Sequence, residues 1–424
     1  MIYCQLGSEY SELTSGDLRK GLYESLDKLG SRKKVLVVPP DFTRYHSRAG
    51  ILTEMAWEYY GDAVTDILPA LGTHAAMSET EIDSMFGKVP HSLFRIHKWR
   101  SDVVTLGEVP AEFVRKASDN QADFAWPAQV NKLLTEGDFD LVLSVGQVVP
   151  HEVIGMANYN KNIFVGTGGK EGIDKSHFLG AAYGMERIMG RADNPVRKIL
   201  NYASEHFASH LPVIYIHSVI GRSAVGSNVV RGLFIGDDSE CFYGAASLSL
   251  KVNFELLNKP LKKVVVYLDP DEYKSTWLGN KSIYRTRMAL ADDGELIILA
   301  PGLKEFGEDE EIDLLIRKYG YLTTPEIMGL VKNNPDLWEN LGVAAHLIYG
   351  SHENRFKVTY CPGKLSRQEI EGVNFSFEDL DIMMNKYNPA KLIDGFNQVD
   401  GEDIFYISNP ALGLWAYKKR FEQN

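Results

Sequence analysis

The chain has 424 residues, with 45 Lys plus Arg against 57 Asp plus Glu and a formal charge of −12. That length exceeds one small core and predicts two or three domains, while 44% apolar and 24% charged residues exclude a disordered or fibrous chain. The acidic balance excludes wholesale nucleic-acid binding, which needs excess Lys and Arg to displace counterions. Cys4, Cys241 and Cys361 stand far apart with no Cys-x-x-Cys pair, so neither a disulfide framework nor a thiolate zinc site is indicated and a reducing compartment is expected. Met1 to Glu9 has no basic start and no apolar core, and no window approaches the roughly 18 uninterrupted apolar residues of a membrane span. A soluble, cytoplasmic protein with neither a membrane nor a nucleic-acid partner is expected.

Helical spacing runs from Leu18 to Leu29, followed by a β-branched run at Val35 to Val38 that leads into Pro39, Pro40, Asp41, Phe42, Thr43 and Arg44. A helix over Ile51 to Tyr60 precedes the strand Val64 to Leu68, which leads into Gly72, Thr73 and His74. Ser78 followed by Glu81 is a capping-box pattern, which places His74 in a loop ahead of a helix start. Leu141 to Val145 leads into Pro150 and His151; further strands are predicted at Ile163 to Val165 and at Val213 to Ile216, the latter ending at His217. Asn258, Lys259 and Pro260 break the pattern, so the chain is divided into residues 1–258 and 259–424. The second part has strands at Val264 to Leu268, Leu296 to Leu299 and near Ile404, and a helix over Ile312 to Tyr319. Strands alternating with helices predict an α/β fold of two domains, each with a mostly parallel or mixed sheet flanked by helices. In such sheets function gathers beyond the carboxyl ends of the strands, and the active site is expected in the cleft between the domains.

The densest chemistry runs from His151 to His177 and includes Gly155, Lys161, Gly166, Gly168, Gly169, Lys170 and Gly172. Glycines allow close backbone approach and N–H groups that hold phosphate, although no Walker A or dinucleotide fingerprint is present. Of the 11 His, His74, His151 and His177 fall in strand-end loops, where imidazole either binds a borderline metal or moves a proton. His206, His210 and His346 fall on helical faces and read as solvated or packed, and His217 is a weaker candidate. Lys161 reads from periodicity as a surface charge; in a Gly-rich loop between apolar strands a lysine can instead be a desolvated, nucleophilic amine.

These residues resemble the lactate racemase family, whose members use a nickel-pincer nucleotide. The resemblance rests on Asp41, Thr43 and Arg44 in "PPDFTR", on "ALGTH" with His74, and on His151, Lys161 and His177, spaced by ten and sixteen residues. It implies a pyridinium mononucleotide attached to Lys161 as a thioamide, nickel held by the group's sulfur and carbon atoms together with His177, and phosphate resting on Gly166, Gly168 and Gly169. It implies reversible hydride removal from the hydroxyl-bearing carbon of a 2-hydroxy acid, with His74 and His151 as the two bases that inversion requires. Arg44 resembles the substrate-carboxylate clamp, Asp41 a group that orients its neighbours or the cofactor. Cofactor-maturation proteins are implied as partners.

Two departures stand out. "MANYN" precedes Lys161 where the family has smaller, Gly-rich residues, and where the family offers Tyr, Gln and Lys to the substrate Tyr284 matches, Arg285 replaces the Gln and Met288 stands in place of the Lys, with Arg287 next to it. Guanidinium donors have nothing to bind on the methyl of lactate, so a larger polar substrate is expected, a sugar acid of the gluconate type or a dicarboxylate; alternatively both Arg lie on a helix surface after a cap at Ser282. The competing functions are a zinc hydrolase using His74, His151 and His177 and a non-catalytic protein that binds the nucleotide.

Overall fold

A computed structural model describes residues 1–223 and 226–423, apart from the side chain of Leu412. The chain divides into two compact units: residues 1–179 with 188–253, and residues 180–187 with 254–424. The second unit therefore begins at Phe254, ahead of the division expected at residue 258, and also takes in the short segment Gly180–Arg187.

The first unit is built on six strands: β1 (Ile2–Gly7), β2 (Val35–Val38), β3 (Val64–Ile67), β4 (Leu141–Gln147), β5 (Val213–Arg222) and β6 (Asn228–Gly236), in the spatial order β1-β6-β5-β4-β2-β3. The four strands β5-β4-β2-β3 are parallel, whereas β6 and β1 are joined antiparallel at one edge. Every residue of β2 and of β4 is buried, as continuous apolar runs in a parallel sheet covered on both faces must be. Helices α1 (Ser15–Leu29) and α2 (Ala49–Tyr60) supply Leu18, Leu22, Leu26, Leu52 and Met55 to the core that includes β2 and β4. The capping box at Ser78 forms and starts the helix Glu79–Phe86.

Two expected strands differ. Ile163–Val165 is not a strand but part of a π-helical segment, Asn162–Gly166, closed by the Thr167 amide donating to the Asn162 carbonyl at 3.0 Å. A three-residue apolar run is too short for periodicity to separate strand from helix. The strand that begins at Val213 runs on to Arg222, so His217 lies within it, fully buried, rather than at its end.

The second unit has its own six-stranded sheet: β7 (Leu261–Tyr267), β8 (Leu290–Ala300), β9 (Lys357–Pro362), β10 (Ser376–Phe377), β11 (Gly395–Val399) and β12 (Glu402–Ile407), ordered β10-β9-β8-β7-β12-β11. All neighbours are parallel except the edge strand β11. Among the described residues no helix is long and apolar enough to cross a membrane.

Candidate active site

The sheet order of the first unit brings together three loops that are distant in sequence. β3, β2 and β4 are adjacent and parallel, so His74, Asp41 and His151 all follow the carboxyl ends of neighbouring strands, where open α/β sheets place ligands. Asp41 is buried and caps the 3-10 helix Phe42–Ser47: its Oδ1 accepts from the Thr43 amide at 3.2 Å and from Thr43 Oγ1 at 2.5 Å. Its Oδ2 lies 2.6 Å from Nδ1 of half-exposed His74. Desolvation acts to raise the Asp41 pKa, but the bonds from His74 and Thr43 and the charge of Arg44 outweigh it and hold the carboxyl below its ordinary value.

His151 lies on a two-residue strand, Pro150–His151, that turns back onto Gly155–Met156. Gly155 has φ +72°, and a Cβ there would stand 1.8 Å from the Arg191 carbonyl oxygen, so the turn admits only glycine. The Val153 amide donates to His151 Nδ1 at 3.2 Å, and the Glu152 carboxylate lies 3.9 Å from the same nitrogen.

Lys161 makes no hydrogen bond or ion pair among the described residues. Burial of its surroundings is the largest influence on its amine, the positive charges of Arg44 and Arg197 add to it, and together they push the pKa down to about 8 against the opposing pull of Glu152 and Asp41. His177 stands on α3 (Lys170–Tyr183), where its Nδ1 bonds the Ile173 carbonyl one turn back at 2.7 Å. A carbonyl partner of this kind fixes the ring orientation of metal-binding histidines. Desolvation is the main influence that lowers the His177 pKa, which favours the neutral ring a metal needs. The charge of Lys161 acts on His177, and Glu152 acts on both, so Arg44, Asp41, His74, Lys161, Glu152 and His177 form one electrostatically connected cluster.

The glycines of the loop are required by their protein neighbours. A Cβ on Gly166 would meet Ala70 Cβ at 2.7 Å, on Gly168 the Phe164 carbonyl oxygen at 1.9 Å and on Gly169 Gln129 Oε1 at 2.5 Å. The amides of Thr167, Gly168, Lys170 and Gly172 already donate to Asn162, Val165, Trp99 and Gln129. The loop is pinned further by His97, buried, which accepts from Asn131 Nδ2 and bonds the Gly168 carbonyl, both at 2.9 Å. Sequence reasoning passed over His97, Gln129 and Glu152; His97 and Glu152 carry no periodic signal.

The zinc reading is overturned: among the described residues no group of three His, Cys, Asp or Glu lies close enough to hold a metal ion, so His74, His151 and His177 are not a ligand triad. The placement of Arg285 and Arg287 on a helix surface is overturned too. The helix Lys281–Thr286 has Asn280, not Ser282, at its N-cap, and both arginines are buried. Arg287 Nε bonds Glu186 at 3.0 Å, and Tyr284 Oη lies 3.2 Å from Nδ1 of His346.

Residues 22–187 match the family described as the lactate racemase N-terminal domain. Over this span the chain is similar to the lactate racemase family. A crystal structure of a protein from Thermotoga maritima is 26% identical, with 97% of this chain and 100% of that chain covered and a TM-score of 0.82. The lactate racemase apoprotein from Thermoanaerobacterium thermosaccharolyticum is 17% identical, with 96% and 94% covered and a TM-score of 0.67, which is a likeness of fold. No curated protein matches the chain. Asp41, Arg44, His74, His151, Lys161 and His177 all fall within the span that matches the lactate racemase domain.

Proposed function

We propose that the protein is a racemase or 2-epimerase of 2-hydroxy acids that works with a nickel-pincer nucleotide attached at Lys161. The observation that carries this reading is the cluster itself: a lysine whose side chain makes no hydrogen bond among the described residues, with a lowered pKa and an electrostatic link to a histidine whose Nδ1 is tied to a carbonyl, and two further histidines beyond the ends of the strands that flank β2. An amine about half free of its proton near pH 8 suits covalent attachment, and sulfur, carbon and imidazole donors suit nickel. When bound, the group supplies a reversible hydride acceptor. Maturation proteins that build it are the implied partners.

The chain's own residues then handle the substrate's proton and carboxylate. His74 donates its Nδ1–H to the Asp41 carboxylate in a hydrogen bond, which leaves Nε2 as the base for the substrate hydroxyl. His151 is the second of the pair: as the acid it works as the imidazolium, giving a proton to the substrate oxygen and returning to the neutral ring. Inversion needs one of each on opposite faces of the hydroxyl-bearing carbon, with the roles exchanged in the reverse direction. The planar donors of Arg44 suit the substrate carboxylate. For the rest of the substrate, the replacement of the family's Gln by Arg285 is the ground for a sugar acid or dicarboxylate, while Arg287 bonds Glu186 and Tyr284 lies against His346.

The test is to produce the protein with nickel and the enzymes that assemble the nucleotide, then follow configuration at C2 for a panel of 2-hydroxy acids in deuterated water. Interconversion without solvent deuterium at C2, one nickel per chain and a mass increase on the Lys161 peptide are expected. Full activity with unmodified Lys161, or deuterium at C2, overturns the reading.

A further inference from the structure

The residues just ahead of Lys161 fold in a way that needs an explanation. Asn158 and Tyr159 have φ of 69° and 60°, consecutive left-handed residues that cost any side chain steric energy and a bulky one most. Such strain persists only where the surroundings over-determine it.

α4 (Pro195–Phe207) presents Arg197, Asn201 and Ser204 along a single stripe, at the spacing that aligns side chains on a helix face. Arg197 is fully buried. Its Nη2 donates to the Met156 carbonyl at 2.8 Å and to the Asn158 carbonyl at 3.3 Å, and its Nη1 to the Asn158 carbonyl at 3.4 Å and to Asn160 Oδ1. Asn160 Nδ2 returns to Asn201 Oδ1 at 2.8 Å and to Ser204 Oγ at 3.1 Å. The Tyr159 ring stacks on Phe242 with centroids 5.1 Å apart and meets Tyr215 at 4.5 Å. Asn158 Nδ2 donates to Nδ1 of His217 at 2.9 Å.

Arg197 makes no ion pair among the described residues; carbonyl dipoles and the Phe242 face, 4.3 Å from the guanidinium carbon, stand in for a counter-ion. A buried charge without an anion is expensive, and packing alone would be served by an apolar residue. What only the guanidinium supplies is a planar fork that reaches three acceptors of one strained turn. We propose that Arg197 is the positioning residue for Lys161: it closes the Met156–Asn160 turn from behind and so fixes where the following amine stands. Why that amine is presented rests on the reading of Lys161 as the attachment point. The positioning itself is a property of the apoprotein.

The experiment is the pH profile of Lys161 acetylation in the purified, full-length apoprotein, read by peptide mass spectrometry against exposed Lys20 as internal reference. Arg197→Lys keeps the positive charge, which itself acts on Lys161, and loses the fork, while Arg44, Asp41, Glu152 and His177 stay as they are. The wild-type midpoint is expected near 8. In the folded variant it should rise by about one pH unit or more, a tenfold loss of free amine at fixed pH. Adding Asn158→Gly, which takes the left-handed turn at no steric cost, should bring the midpoint back toward wild type. An unchanged midpoint in folded Arg197→Lys overturns the proposal. If that variant does not fold, Asn160→Ala, which removes one acceptor and leaves Arg197, is read in the same way: a raised midpoint supports it and an unchanged one overturns it. Neither nickel nor C2 chemistry enters this measurement, so its failure is separate from a failure of the racemase reading.

Discussion

Asp41 and His74, 33 residues apart, meet carboxylate to imidazole at 2.6 Å, with Asp41 buried and the ring half exposed. The pair exists because β2 and β3 are parallel neighbours, so the turn after one reaches the loop after the other. A buried acceptor on Nδ1 fixes the tautomer and leaves Nε2 to act on what lies outside.

Asp41→Asn should disturb that tautomer while changing little in size. An amide can donate to Nδ1 and so move the ring proton to Nε2, which removes the base. Racemisation or epimerisation by the loaded protein should fall by about 10²-fold or more, within the range for loss of general acid–base function, mainly in kcat. A chiral assay of both enantiomers, with thermal melts to check folding, reads it; a loss below threefold would contradict the role given to His74.

His177→Ala separates metal binding from attachment. If the amine of Lys161 holds the nucleotide and His177 only the metal, the variant should keep the mass increase on the Lys161 peptide while nickel per chain falls several-fold. Loss of both together, in a folded protein, would point to His177 acting in attachment instead.

The parallel strands and their reactive ends were legible because buried β-branched runs stop abruptly at Pro, Gly and Asp, as at Val38–Pro39. Asp41, His74 and His151 could therefore be set at strand ends from local pattern alone. Ile163–Val165 was misread because three apolar residues suit either period, and what decides the matter is the closure from Thr167 to Asn162. Arg197 lay beyond reach for another reason. A lone arginine between Val196 and Lys198 on a helix looks solvated, and only the meeting of α4 with the turn before Lys161 buries it. The same holds for Arg285 and Arg287, whose burial depends on contacts distant in sequence, Glu186 among them for Arg287.

Stability should fall in mild acid. His217 and His346 are buried, and desolvation, with the charge of Arg197 added for His217, pushes each pKa down to about 3. In the unfolded chain each titrates near 6.5, so between about 6.5 and 3 the unfolded state binds the extra proton. Their contribution is complete above about 6.5 and is lost as pH falls, with a slope of up to about 1.4 kcal/mol per pH unit for each ring. Urea midpoints from pH 7.5 to 4.5 measure it. His346→Gln should flatten the acid limb, and an equally steep limb in that variant would count against the assignment.

Glu186 accepts from Arg287 Nε at 3.0 Å and from Arg355 Nη2 at 2.9 Å through the same oxygen. Glu186→Gln leaves two guanidinium groups facing a neutral amide. Breaking a buried pair costs about 3–5 kcal/mol, and with Glu186 19% and Arg355 22% exposed a loss of about 2–4 kcal/mol is expected. In a double-mutant cycle with Arg287→Met, urea unfolding should show the second change costing clearly less once the first is made; additive losses would mean that the pair is not coupled.

Lys161→Met should stabilise the apoprotein while removing its proposed use. The folded pKa of about 8 lies below the ordinary lysine value near 10.4, so between the two the unfolded chain holds a proton that the folded chain has released. The burden on the folded state is therefore complete below about pH 8 and disappears as pH rises past about 10.4. At pH 7 the variant should melt above wild type, by about 2–4 °C for each kcal/mol relieved, and the gap should narrow by pH 10. Cofactor retention should be lost in the same variant, since no amine remains to hold it. A gap that stays constant from pH 7 to pH 10 would trace the gain to packing by the methionine rather than to a desolvated amine.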